Sequence, residues 1–188
     1  MRSKNFTLIE LIVVIAIIAV LAAIIAPNAF RAIEKAKVSR AISDYKSIKT
    51  ASNALYADTG QWPGWHNCDY PISDSDLLQN VRGLFGWDGP YLEKVPNTHP
   101  WGGLYYFEGE NDYAKSPTQP ADGRTELIID FENACYPFNP STSSNCSVPD
   151  SAAKKIDETV DDGDNSWGNF RHSTADDTHW ILAWGDTF

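Results

Sequence analysis

The chain has 188 residues and carries 15 Lys and Arg against 25 Asp and Glu, a formal charge of −10. That balance repels phosphate backbones, so nucleic-acid capture, which rests on clustered Lys and Arg, is excluded as a main task. The histidines His66, His99, His172 and His179 are scattered, without H-x-x-x-H, C-x-x-C or Ser, His and Asp arrangements, so the chain reads as a non-enzyme.

Arg2 and Lys4 open the chain, then Phe6-Thr7-Leu8-Ile9-Glu10-Leu11 leads into an apolar run. The twenty positions from Leu11 to Phe30 hold no ionisable side chain. At about 1.5 Å per helical residue they span roughly the 30 Å of a bilayer's hydrocarbon. Positive flanks mark the cytoplasmic side, which puts everything after Phe30 outside the cytoplasm. A secretory signal peptide fits poorly, because the run is too long, contains Glu10 and lacks an A-x-A site after its core. A plain anchor explains length and orientation but leaves Glu10 unexplained. An acid in a membrane span costs a few kcal/mol or more and marks a functional position in want of a positive partner.

With these residues the chain resembles the bacterial type IV pilin superfamily, which includes type IV pilins and the pseudopilins of type II secretion. The leader Met1 to Asn5, the segment Phe6 to Leu11 and Pro27 carry the likeness. It implies that a prepilin peptidase cuts between Asn5 and Phe6 and that Phe6 becomes the N-methylated first residue. It also implies passage through an inner-membrane assembly platform into a homo-oligomeric helical filament, periplasmic or extracellular. One departure is Asn5, where the family prefers glycine before the cut.

Cleavage would create an amine at Phe6, the natural partner of Glu10. Within one helix such i,i+4 pairing gives a few tenths of a kcal/mol in water. In lipid, unpaired charges cost far more, so a staggered neighbour whose Phe6 amine meets Glu10 would relieve both. The plainer alternative leaves Glu10 among headgroups at the interface. Pro27 removes one backbone hydrogen bond and crowds the preceding turn, so a kink is expected around residues 24–27, unless it only marks the membrane exit.

From Asn28 the helix turns amphipathic. Phe30, Ile33, Val38, Ala41, Ile42, Tyr45, Ile48 and Leu55 recur at spacings of three and four, one apolar stripe on a 3.6-residue helix. The helix is expected to run from Phe6 to Asp58 and to end at Gly60, before Pro63. Four parts follow: leader 1–5, membrane or filament-core helix 6–30, stem helix 31–60 and head 61–188.

The fold class expected is α+β, a long helix packed on a small antiparallel sheet. Ser73 to Asp76 should cap a short helix closed by Gly86. Leu104 to Glu108, Glu126 to Glu132 and His179 to Trp184 read as strands. Gly109 to Gly123 and Pro137 to Asp164 read as long polar loops. Of the seven tryptophans, Trp101 and Trp180 suit a core, while Trp62, Trp65 and Trp87 are the candidates for an adhesive surface.

The likeness sharpens in the head. Tyr56 to Pro63, Gly89-Pro90-Tyr91-Leu92, Pro96 and Pro100-Trp101-Gly102 are similar in order and spacing to the major pseudopilins of type II secretion. Those proteins carry Ca2+ in a loop near the C-terminus. The richest acidic cluster here is Asp157, Glu158, Asp161, Asp162 and Asp164, followed by Asn165 and Ser166. Within it Asp161, Asp162 and Asp164 are the candidate metal ligands, against the bland reading of a solvated acidic loop.

Cys135 and Cys146 bracket a short loop, as pilins often do near the C-terminus, and a disulfide there would stabilise by a few kcal/mol. Cys68 takes either partner or stays free. The stem from Arg31 to Asp58 holds six basic and three acidic residues, and Gln61 to Phe188 holds seven and twenty-one. A basic stem suits anionic headgroups before assembly and acidic neighbouring heads after it. A subunit of a secretion pseudopilus is the leading expectation, with a surface pilin for adhesion or motility, or a membrane-tethered binding module, as alternatives.

Overall fold

The computed structural model describes residues 7–63, 70–72, 75–111, 125–135, 146–164, 168–172 and 178–185, with some strand side chains outside that description. It divides into two units, 1–37 and 38–188. Helix α1, Leu8–Thr59, contributes to both.

In the first unit α1 has no inside. Its most apolar 18-residue window has a mean hydropathy of 3.3 and none of it is buried, which makes it long and apolar enough to cross a membrane. The helix does not break at Pro27. The missing N–H there leaves the Ala23 carbonyl without its usual donor.

In the second unit the stripe acquires a partner. Val38, Ala41, Tyr45, Ile48, Ala51 and Leu55 are buried, together with Tyr105, Phe107, Ile129, Phe131 and Trp180 of a five-stranded antiparallel sheet. Its strands are β1 Tyr70–Pro71, β2 Gly103–Asn111, β3 Thr125–Cys135, β4 Phe170–His172 and β5 Thr178–Gly185, in the order β1-β2-β3-β5-β4. The Tyr45 ring stacks on Trp180 at 4.0 Å between centroids, and Phe131 and Phe170 meet the same indole at 5.6 and 5.0 Å. The Tyr105 hydroxyl donates to Asp44 Oδ2 at 3.2 Å, and Arg40 Nε lies 3.5 Å from that oxygen. Gly60, at φ +68°, ends the helix as glycine can.

Four expectations are corrected. Phe30 and Ile33, read as part of the apolar stripe, are exposed, and β2 runs on to Asn111, into the segment read as a loop from Gly109. The segment read as a polar loop from Pro137 to Asp164 contains helix α2, Asp150–Val160. Ala152, Ala153 and Ile156 are buried on the core, and His172 contacts Asp150 Oδ1 at 3.0 Å and Thr178 Oγ1 at 2.8 Å. The short helix expected after Ser73 is instead a series of turns from Ser75 to Gly86, with Ser73 and Asp74 outside the described residues.

Replacing Trp180 by alanine removes the ring on which Tyr45, Phe131 and Phe170 converge. Trp180→Ala is expected to destabilise the detergent-solubilised chain by roughly 3–5 kcal/mol in a urea melt.

Candidate functional site

Two acids stand out by their surroundings. The first is Glu10. Its Oε2 accepts the Thr7 backbone N–H at 2.8 Å and the Thr7 hydroxyl at 2.7 Å, while Thr7 Oγ1 faces the Glu10 N–H at 3.3 Å. This is a capping box, Thr at the N-cap and Glu three residues on, which satisfies helix-end donors reciprocally. One carboxylate oxygen is thus committed to the chain's own helix, and Oε1 has no partner among the described residues. Asn5 and Phe6, the expected cleavage pair and methylation site, lie outside those residues.

The second acid is Asp157, at the C-terminal end of α2. It is fully buried, and neither carboxylate oxygen has a donor in hydrogen-bond geometry. Burial pushes its pKa up most, the nearby Gly163 N–H acts the other way, and the charges of Asp162, Asp161 and Asp164 raise it further, to about 6. Carboxylate oxygens of Asp157, Asp161 and Asp162 all lie within 4.8 Å of one another. Asp164 does not join that group, although its N–H donates to Asp162 Oδ1 at 2.9 Å. Asn165 and Ser166 lie outside the described residues.

Asp161 also fixes the chain that follows. Its Oδ2 accepts the N–H groups of Asn169 and of Phe170, the latter at 3.0 Å. Gly168, at φ +80°, passes so close to that oxygen that a Cβ would collide with it. A hard, oxygen-seeking cation fits such a donor set, since two orphaned buried oxygens lie against two further carboxylates. Asp157 was read as part of the acidic cluster but not among its candidate ligands. The available signal is that it falls on the buried stripe of α2 beside Ala153 and Ile156.

The remaining candidates are placed as follows. Cys146 is disulfide-bonded, and a Cβ on Gly102 would lie 3.0 Å from its Sγ. The adjacent Gly103 faces Cys135 in the β2–β3 ladder. The side chains of Cys135 and Cys68 are outside the description. Trp62 and Trp87 are partly buried and pack against the core, and Trp65 is not described. His99 is 1% exposed, accepts the Trp101 N–H at Nδ1 and contacts Tyr105 and Phe131.

A capped apolar helix with one acid near its start, joined to a helix-on-sheet head, defines a type IV pilin-type chain. Residues 3–26 match the prokaryotic N-terminal methylation motif, and residues 32–124 match the family described as PilW, C-terminal. The chain is similar to type II secretion system core protein G of Pectobacterium carotovorum subsp. carotovorum, with 30% identity over 114 residues, covering 61% of this chain and 72% of that protein. The same protein of Aeromonas hydrophila is 29% identical over 115 residues, covering 61% and 78%. That of Escherichia coli (strain K12) is 30% identical over 104 residues, covering 55% and 70%. The chain belongs to the type II secretion system core protein G family, the major pseudopilins.

The raised pKa of Asp157 has a sign that can be tested. The unfolded carboxyl releases its proton near 3.8 and the folded one only near 6, so the folded state holds more protons in that interval. Stability therefore falls as pH rises from about 4 to about 6. In chelator, the wild-type melting temperature should carry this decline, and the difference from Asp157→Asn across the same pH series should isolate it.

Proposed function

We propose that this chain is a structural subunit of a type II secretion pseudopilus, drawn from the inner membrane into a helical filament after a prepilin peptidase removes Met1 to Asn5. Function lies in polymerisation, not turnover. The head faces the periplasm, as the Arg2 and Lys4 flank implies. The observation that carries the reading is Glu10, a single acid on a wholly exposed apolar helix, with one oxygen tied to Thr7 and the other available. The Phe6 amine of an adjoining subunit is the cation that would complete it, which makes register self-selecting.

Membership in the protein G family favours the secretion filament over a surface pilin. Cys135 is the proposed partner of Cys146, supported by the Gly103–Cys135 pairing beside Gly102. Ca2+ is the proposed ion for Asp157, Asp161 and Asp162. When bound, it would supply positive charge to carboxylates that otherwise repel one another.

Mass spectrometry of the mature chain should find an N-methylated Phe6 as the first residue; a chain starting at Met1 would leave Glu10 without its proposed partner. Glu10→Gln separates the two roles of that side chain, because glutamine keeps the capping box but not the charge. It should leave head folding intact and strongly lower incorporation into sheared filaments, and normal incorporation would count against the ion pair.

Calcium gives a reversal of sign at Asp157. In chelator at pH 7, Asp157→Asn should melt higher than wild type, because it deletes an uncompensated buried charge. With millimolar Ca2+ the order should invert. Equal calcium responses of the two proteins would remove Asp157 from any ion site.

A further inference from the structure

Among the described residues outside the apolar N-terminal unit, one large hydrophobic side chain is almost wholly in water. Phe85 is 98% exposed. It stands on a loop fastened from both sides. Asn80 accepts the Leu84 N–H and donates to the Leu84 carbonyl. Arg82 pairs with the buried Asp76 and donates to the Trp62 carbonyl. The Trp87 indole N–H donates to the Asp76 carbonyl at 2.7 Å, and Gly86, at φ +85°, lies where a Cβ would strike the Asp58 carbonyl oxygen. A ring on so constrained a loop cannot fold back onto its own core. A rigid aromatic displayed in this way is the type of anchor that dominates protein interfaces.

The same unit carries a groove of about 650 Å³ between α1 and the segment holding Tyr91 and Leu92. Ser43, Ser47, Ala51 and Ala54 keep its floor low, Tyr91 walls it and Lys46 stands beside it. Phe85 of the same copy leaves it unfilled.

We infer that Phe85 of one subunit seats in this α1 groove of the next copy of the chain. The inference rests on the filament reading above and names one contact within it. A second copy is the occupant argued for, on symmetry and on charge. Ring and groove are different patches borne by every copy, so their contact is heterologous and propagates instead of closing into a pair. The exposed Asp88, three residues from Phe85, is also opposite in sign to Lys46 of the groove.

The test uses the full chain in cells that assemble the filament, with a photoreactive benzoylphenylalanine at position 85. Irradiation should join that position to residues 39–54 of another copy. A crosslink to any other part of a second copy, or to a different protein, overturns the inference. Phe85→Ala should lower sheared filament roughly ten-fold or more at an unchanged head melting temperature, with Phe85→Tyr restoring it. Ser47→Trp, which fills the groove from an exposed helix position, should produce the same loss. Wild-type filament yield from Phe85→Ala overturns the Phe85 contact and leaves the filament reading standing. A wild-type chain that forms no polymer overturns both.

Discussion

The head depends on one apolar stripe, Val38 to Leu55, meeting one face of a sheet. Neither surface is large enough to exclude water alone, and each is the other's solvent shield. The stacked pair Tyr45 and Trp180 marks the centre of that contact. Around it polar ties set position: Asp44 accepts from Tyr105, and the Tyr91 hydroxyl donates to Asp58 at 2.8 Å. The end of α1 is thus also where the loop that presents Phe85 is fastened. The residues from Leu11 to Phe30 follow a different rule. With apolar side chains all round, that stretch offers no face to a head and is matched to lipid or to other apolar helices.

Glu10 and Asp157 pose the same physical problem in two settings. Each is an acid on an otherwise apolar helical surface, and each has carboxylate oxygen that its own chain does not satisfy. Thr7 satisfies one oxygen of Glu10 through the capping box, so the acid can be kept near a hydrophobic tip without being neutralised there. Asp157 has no such relief, and its neighbours Asp161 and Asp162 make its charge costlier. In both places the partner proposed above is positive and comes from outside: an amine for one, an ion for the other.

Much of this was legible in the sequence, and the failures have physical causes. From Val38 on the stripe of α1 was readable from its three-and-four spacing, and Gly60 with Pro63 fixed its end, but the same spacing carried it too far back, to the exposed Phe30 and Ile33. The three long strands were readable from their aromatic and β-branched content. β1 and β4, of two and three residues, are too short to carry a period. α2 was hidden by composition, since its buried side has two alanines, one isoleucine and an aspartate, and its remainder is mostly Ser, Lys, Asp, Glu and Thr, the residues of a loop. Missing α2 left Asp157 a mere member of the acidic cluster, because only the helix puts that acid on the same buried side as Ile156. Phe85 was unreadable for a related reason: nothing local distinguishes an exposed phenylalanine from a buried one until the tertiary fastening of its loop is known.

The position of the acidic group also decides what its charge state can reach. The PilW, C-terminal match stops at residue 124, before α2 begins, so the cluster lies beyond the stretch matched to that family. Asp161 holds the amides of Asn169 and Phe170, which start the edge strand β4. Phe170 rests on Trp180, and Trp180 on Tyr45. Repulsion among Asp157, Asp161 and Asp162 therefore acts first on the junction of α2 with β4, and through two ring contacts on the packing of the sheet against α1. A cation at that junction would tighten the edge of the head on its helix, leaving the apolar segment around Glu10 to its own partner.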